Sequence, residues 1–511
     1  MTSVIKTAAV NGIEGFIVDA ECYSAGNFPK FSLVGLPDAA VREAYERIKA
    51  AVKSSGIEFP QSTVTVNLAP ADMLKQGTAF DLAIMLSIIK STVLSTSDTS
   101  GKCFIGELSL SGKIRRVNGV LPMCIAARDA GLKEVFVPAG NALEASVVEG
   151  IDVYGVENIN QLVAHLTGLL RMEKTAYRGR ELLETLPENI PDMSEVKGQE
   201  NVKHALEIAA AGMHNVLLVG PPGTGKSMLA KRLPGILPKM SFEEALETSR
   251  IQSVCGLLGK EQSLVTARPF RAPHHTMSTA GLIGGGKFPV PGEISLAHNG
   301  VLFLDEFAEF KKDATDALRQ PIEDGKVVIT RVSGRTSFPS KFMLVCAMNP
   351  CKCGYYGSAE KKCTCSPAAR SAYLAKISGP MLDRIDIQIE VSGIPYDALK
   401  DRTPSERSSE IRKRVEKARE RMVKRYAGTG IFANGQLTPA MIREYCVTDE
   451  KADEVLKAAF ERLGLSARGY DRILKLAKTI ADMNDSDIID ARHVAQAIGY
   501  RSLDRKYWIN Y

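Results

Sequence analysis

Residues 215–233 read NVLLVGPPGTGKSMLAKRL. Val216–Val219 form an apolar strand pattern, and residues 220–227, GPPGTGKS, match G-x-x-x-x-G-K-[ST] in full. A helical pattern starts near Ser227. This order of strand, glycine-rich turn and helix N-terminus builds a phosphate cradle. Gly220, Pro221, Pro222, Gly223, Thr224 and Gly225 make the turn, whose backbone N–H groups curl around oxygens at the positive end of a helix. Lys226 is placed to reach the β- and γ-phosphates, and the Ser227 hydroxyl to ligate Mg²⁺. Around this unit, apolar strands alternate with helical runs from 194 to 395, as in an open, mostly parallel α/β sheet.

The expected partner of such a cradle lies about eighty residues on, in NGVLFLDEF (299–307). An acidic pair after a strand is ordinary by itself. Behind a phosphate cradle, Asp305 is placed to support the Mg²⁺ shell and Glu306 to orient or activate a water. The pair implies hydrolysis of ATP.

Bulk properties narrow the surroundings. At 511 residues the chain exceeds one core, and 45% hydrophobic with 24% charged residues is a soluble globular composition. The longest apolar run, FDLAIMLSIIKSTVL (80–94), is interrupted by Asp81 and Lys90, so no membrane span is expected. The N-terminus carries Glu14 and no long apolar core, which argues against a signal peptide. Six of the ten cysteines are scattered singly in apolar surroundings, as reduced thiols in a cytoplasm would be. Segment 411–426 holds eight Lys or Arg and two Glu, which matches the chain's whole net charge of +6. Its apolar residues recur at helical spacing, so its basic face is either solvated or a nucleic-acid stripe.

Before the cradle, residues 1–166 mix short strands (30–36, 62–69, 134–139, 151–156) with helices (39–56, 80–91, 119–131), a self-contained α+β domain. Residues 167–193 are polar and proline-bearing, and read as a linker. After about 396 strand signals vanish, leaving a helical domain to 511.

Several segments resemble the AAA+ class of ATPases. FMLVCAMNP (342–350) is similar to the first sensor strand, with Asn349 placed to feel the γ-phosphate. SGPMLDRIDIQIEV (378–391) resembles the segment that supplies an arginine finger to a neighbouring subunit, which points to Arg384. LSARGYDRILKLAKTIADM (465–483) resembles a sensor-two helix, with Arg468 ahead of Arg472. For these arginines a plain salt bridge is the alternative. RPFRAPHHTMSTAGLIGGGKFPVPGEISLAHNG (268–300) resembles the helix-two insert of the magnesium-chelatase and MCM branch. KVVITRVSGRTSFPSKF (326–342), with its turn at Ser333-Gly334, resembles that branch's pre-sensor-one hairpin. Arg331, Arg335 and Lys287 are then candidate DNA-phosphate contacts, or else charges on an exposed hairpin.

Taken with VKGQENVKHALEIAAAG (196–212), AMNPCKCGYYG, CTCSP, SGPMLDRID and FSLVGLPDAAVREAYERIKAA, these motifs make the whole chain similar to the YifB/ComM family of magnesium-chelatase-like AAA+ proteins. The resemblance implies a multidomain α/β protein with a Lon-protease-like (S5-type) α+β N-terminal domain, an AAA+ P-loop α/β core and an all-helical C-terminal lid. It implies a cytoplasmic, ATP-dependent hexameric ring. Branch migration of DNA as a helicase in homologous recombination and natural transformation is the implied task. In the Lon-like domain, alignment puts Ala79 at the nucleophile's position, beside Thr78, and Leu121 at the activating lysine's, so proteolysis is not expected. A protein-remodelling ATPase and a magnesium-chelatase motor subunit are the alternatives. The second is opposed because chelatase motors resemble only the ATPase part.

NPCKCGYYGSAEKKCTC (349–365) gathers Cys351, Cys353, Cys363 and Cys365 within fifteen residues. Two C-x-C pairs can offer four thiolates to one tetrahedral Zn²⁺, with Lys352, Lys361 and Lys362 offsetting the charge. A redox-switchable disulfide and reduced surface thiols are the other readings.

Overall fold

The structure is a computed structural model that describes residues 2–26, 30–184, 190–259, 261–331, 334–358, 361–394, 405–463 and 465–509. The chain divides into two units, Met1–Leu186 with Ser241–Thr266, and Pro187–Met240 with Ala267–Tyr511.

The first unit is built on a seven-stranded mixed sheet. β1 (Thr2–Asn11) and β2 (Glu14–Ala25) pair as an antiparallel hairpin whose tight loop begins at Gly12, at φ 66°. β3 (Lys30–Val34) and β4 (Thr63–Ala69) follow, then β5 (Lys102–Phe104) and a small hairpin of β6 (Glu107–Leu108) with β7 (Ile114–Arg115). β8 (Glu134–Pro138) and β9 (Asp152–Val156) complete the sheet, in the order β3-β4-β2-β1-β5-β8-β9. The expected strands thus form, but the long first hairpin escaped the sequence reading. Thr7, Ala8 and Ala9 are buried in succession, which hides the period-two signal.

The apolar run that raised the membrane question is the core helix Asp81–Ile89, buried along its whole length. Arg47 forks onto Asp81 with two 2.9 Å bonds, so the carboxylate enters the core paired. No helix among the described residues is long and apolar enough to cross a membrane. Ala79 and Leu121 are both buried, and the Thr78 hydroxyl donates to the Glu107 carboxylate.

Residues 241–266 differ from the expected plan. They lie within the 194–395 segment read as one core, yet pack with the first unit. A capping box at Ser241 and Glu244 starts the helix Phe242–Val254. The Ser253 carbonyl accepts from Gly119 N at 3.0 Å, and its hydroxyl donates to the buried Glu144 carboxylate. Glu144 also accepts from Leu121 N at 3.2 Å and Asn141 Nδ2 at 2.9 Å, next to the helix Val120–Asp129. The expected linker is likewise tied at its two ends. Met172 is buried in the first unit's core and Met193 in the second's, while 185–189 lie outside the described residues.

The second unit holds β10 (Val216–Val219), β11 (Phe270–Arg271), the short hairpin β12 (Gly284–Gly285) with β13 (Val290–Pro291), and β14 (Val301–Leu304). β15 (Lys326–Arg331) and β16 (Gly334–Pro339) pair as the expected hairpin, though Val332 and Ser333 at its turn lie outside the described residues. β17 (Met343–Met348) and β18 (Ile387–Glu390) follow. Five strands form one parallel sheet, β11-β14-β17-β10-β18. The glycine run 284–286 is a hairpin and not a free loop. A Cβ at Gly284 would lie 2.3 Å from the Val290 carbonyl, so that pairing requires glycine.

Helices Ser408–Arg425, Pro439–Tyr445, Glu450–Leu463, Ala467–Met483 and Ala491–Gly499 form the C-terminal part. Val415, Met422, Tyr426, Leu474 and Ile480 join Val216, Leu218 and Val301 in one hydrophobic core, so lid and sheet are packed together. The basic helix is committed to this packing. Arg414 pairs with Glu207, Arg425 with Asp482, Arg421 with Asp487 and Lys417 with Asp485, while Arg419 donates to the carbonyls of Ala210 and Ala211.

Glu144→Ala removes the acceptor of the buried Leu121 N–H and one of the two acceptors of the Asn141 amide. It is expected to destabilise the first unit by about 3 kcal/mol, read as a lower midpoint in chemical unfolding.

Candidate nucleotide site

β10 runs straight into the cradle. Gly225, at φ 87°, turns the chain into the helix Lys226–Ile236. Lys226 Nζ donates to the carbonyls of Gly220 and Pro221 at 2.7 Å each and lies 3.3 Å from Asn349 Oδ1. Burial pulls the Lys226 ammonium down to about 8, against the attraction of Asp305. The parallel ladder aligns Val219 with Met348, so Gly220 and Asn349 leave the same edge of the sheet.

Ser227 Oγ donates to Asp305 Oδ2 at 2.6 Å. A hydroxyl and a carboxylate oxygen at that separation suit a hard cation such as Mg²⁺, which prefers oxygen ligands. Asp305 Oδ1 accepts from Glu306 N at 2.9 Å. Glu306 itself has a left-handed backbone, φ 52°, a strained conformation for a residue with a side chain. Its carboxylate meets His275 Nδ1 at 3.0 Å. His275 was not singled out from the sequence; the paired histidines of RPFRAPHHT, whose rings lie 4.1 Å apart, were the available signal.

The candidate arginines are elsewhere. Asn215 and Asp386 stand at the strand starts, where Val216 pairs with Ile387. At a rise of about 3.3 Å per residue, β10 holds this edge more than about 13 Å from the cradle. Arg384 lies here, 4% exposed, bonded to the Glu323 carboxylate, Pro380 O and Arg319 O. Burial and the neighbouring Arg319, Arg468 and Arg472 hold its pKa below the ordinary value, although Glu323 opposes them. Arg472 pairs with buried Asp386 at 2.7 Å. Arg468 lines a cavity of about 560 Å³ together with Glu323, Lys341, Asp386, Arg472 and Lys475. Within one chain, Arg384 and Arg468 do not join Lys226 and Glu306.

The four cysteines do converge. Their Sγ atoms lie within 4.8 Å of one another, with Cys351 3.3 Å from Cys353 and 3.7 Å from Cys363, and Cys353 3.6 Å from Cys363. A disulfide needs about 2.05 Å, whereas Zn–S bonds of about 2.3 Å give a tetrahedron with edges of about 3.8 Å. The spacing fits a shared metal ion. The Tyr355 backbone N–H holds the Cys353 thiol well below its ordinary value, while burial raises Cys351. Lys287, Arg331 and Arg335 are all exposed. A Cβ at Gly285 would lie 3.5 Å from the Arg331 guanidinium, so the insert hairpin and β15–β16 stand side by side.

Comparison with known proteins shows the family. A family model described as magnesium chelatase, subunit ChlI, matches residues 192–399. A second, subunit ChlI of Mg-chelatase, matches 20–141, and the ChlI C-terminal model matches 405–501. Competence protein ComM of Haemophilus influenzae is 40% identical over 508 residues, 98% of each chain. YifB of Escherichia coli is 39% identical over 508 residues, 98% of this chain and 97% of that one. The chain belongs to the YifB/ComM family of magnesium-chelatase-like proteins. A shorter match, 38% over 81 residues, links 16% of this chain to 18% of the DNA repair protein RadA of Bacillus subtilis. A ChlI model covers 20–141, so the front unit does not by itself separate this family member from chelatase motors.

The discharged form of Lys226 cannot pair with phosphate. With its pKa lowered to about 8, affinity for a fluorescent adenine nucleotide in magnesium-free buffer should fall as pH rises through that value. Lys226→Arg, charged throughout, should bind with no such pH dependence in the same titration.

Proposed function

We propose that this protein hydrolyses ATP to move on DNA as a ring of identical subunits, with branch migration during homologous recombination and natural transformation as its task. The observation that carries the reading is the meeting of Lys226, the Ser227–Asp305 pair, Glu306 and Asn349 at one sheet edge. Lys226 and the cradle N–H groups bind the phosphates. Ser227 and Asp305 would hold Mg²⁺, which would offset the charge on the phosphate oxygens. Glu306 takes the proton of the attacking water, and Asn349 orients that water toward the γ-phosphate.

The placement of the arginines supports a ring. Arg384 and Arg468 lie at the opposite edge of the sheet, so either can reach a γ-phosphate only in a neighbouring copy. Arg384 must first leave Glu323 to do so. A six-membered ring is the assembly proposed. Lys287, Arg331 and Arg335, on two adjacent hairpins, supply a compact basic surface for DNA phosphates. The names of the relatives ComM and RadA, competence and DNA repair, support a DNA substrate. The four cysteines are assigned to one structural Zn²⁺, which requires the reduced thiols of a cytoplasm. The first unit serves assembly or DNA contact without proteolysis, in keeping with buried Ala79 and Leu121.

A magnesium-chelatase motor is the second reading, favoured by the family descriptions that match all three segments. A labelled four-way junction with ATP separates the two. Wild type should resolve the junction into duplexes, and more weakly as salt rises. Glu306→Gln should keep nucleotide binding but hydrolyse at least about 100-fold more slowly. Arg384→Ala should lose hydrolysis yet regain part of it when mixed with Lys226→Ala, because each chain then supplies the half the other lacks. A wild type that hydrolyses ATP but leaves every junction intact overturns the DNA reading.

A further inference from the structure

The cysteine lobe is in direct contact with the phosphate cradle. β17 ends at Met348, Asn349 follows, and Cys351 is fully buried two residues later. Gly354 closes the turn, with its N–H on the Cys351 carbonyl at 2.9 Å and φ 88°. Its α-carbon lies against the cradle itself, where an added Cβ would be 2.7 Å from Pro222 Cδ. The turn that carries the first two thiols, closed by Gly354, therefore fits flush on the second proline of GPPGTGKS.

The other side of the lobe is buttressed. Tyr356 receives the Arg370 guanidinium 4.4 Å from its ring centre and meets the buried Tyr507 ring at 6.0 Å. Tyr507 donates to Glu390, and Lys506 pairs with the same carboxylate at 2.7 Å. Glu390 pairs with Val219 in the sheet ladder, so this brace stands at the cradle edge. Trp508, the chain's single tryptophan, donates to the Leu374 carbonyl at 3.4 Å, on the helix that leaves the cysteines.

We propose that the metal held by Cys351, Cys353, Cys363 and Cys365 governs nucleotide affinity, by locking the Gly354 turn against Pro222 and fixing Asn349. The inference rests on the reading of the four thiols as a metal site. A metal ion joins Cys363 and Cys365 to the first pair and leaves residues 349–354 one conformation. Without it, Cys363 and Cys365 no longer tie the turn, and both the cradle wall and Asn349 gain freedom that binding must remove.

The full chain tests both parts. Dialysed wild type is expected to hold one zinc per chain, and Cys351→Ser with Cys363→Ser to hold none. A wild type that carries no metal and takes up neither Zn²⁺ nor Co²⁺ overturns the metal reading itself. Stripping the metal with a chelator should weaken adenine-nucleotide binding about tenfold and shift Trp508 emission, both reversed by Zn²⁺. Gly354→Ala and Pro222→Ala disturb the contact from its two sides and spare all four thiols. Each should retain one zinc yet bind nucleotide several-fold more weakly. If the stripped chain, or both contact variants with zinc in place, bind nucleotide as wild type does, the coupling is wrong even though the metal site stands.

Discussion

Parallel pairing on both sides of β10 sets the chemistry of this protein. Met343–Met348 lies against one side and Ile387–Glu390 against the other, in register from end to end. The ladder delivers the glycine-rich turn, Asn349 and Glu390 to one edge, and sends Arg384 and Asp386 to the opposite one. Ligands of open α/β sheets gather at the carboxyl ends of the strands, and the cradle obeys that rule. Within one subunit the glycine-rich turn and Arg384 therefore lie at opposite ends of the same strands.

The candidate nucleotide site was legible because it is local. GPPGTGKS and LFLDEF each carry their chemistry within a few residues, and the strand before each is purely apolar. The cysteines were legible for the same reason, and their convergence needed only a turn at Gly354. What stayed hidden depends on contacts remote in sequence. Nothing near His275 says that its ring will reach Glu306, thirty-one residues on. The pattern of the basic helix fits a solvated face or a nucleic-acid stripe, and only its partners Glu207, Asp482, Asp485 and Asp487 show four of its charges paired within its own unit. Arg384 is similar: a motif named the residue, but its present pairing with Glu323 had to be seen.

The two basic hairpins illustrate how backbone chemistry places side chains. Gly284 permits β12 and β13 to pair, because any larger residue would strike the Val290 carbonyl. That short pairing holds Lys287 out, and the neighbouring β15–β16 ribbon presents Arg331 and Arg335 beside it. Three charges from segments almost fifty residues apart thus share one surface.

The detour of residues 241–266 bears on any attempt to take this protein apart. The chain passes between its two units three times, at 186–187, 240–241 and 266–267. A fragment ending near residue 186 would lack the helix Phe242–Val254. It would uncover the side of Val120–Asp129 on which that helix packs and leave Glu144 without Ser253. The complementary fragment would carry that helix with nothing to cover it. Neither half is a natural excision product. The front unit is best regarded as a body assembled from two separated stretches of chain, the second of which follows soon after the helix Lys226–Ile236.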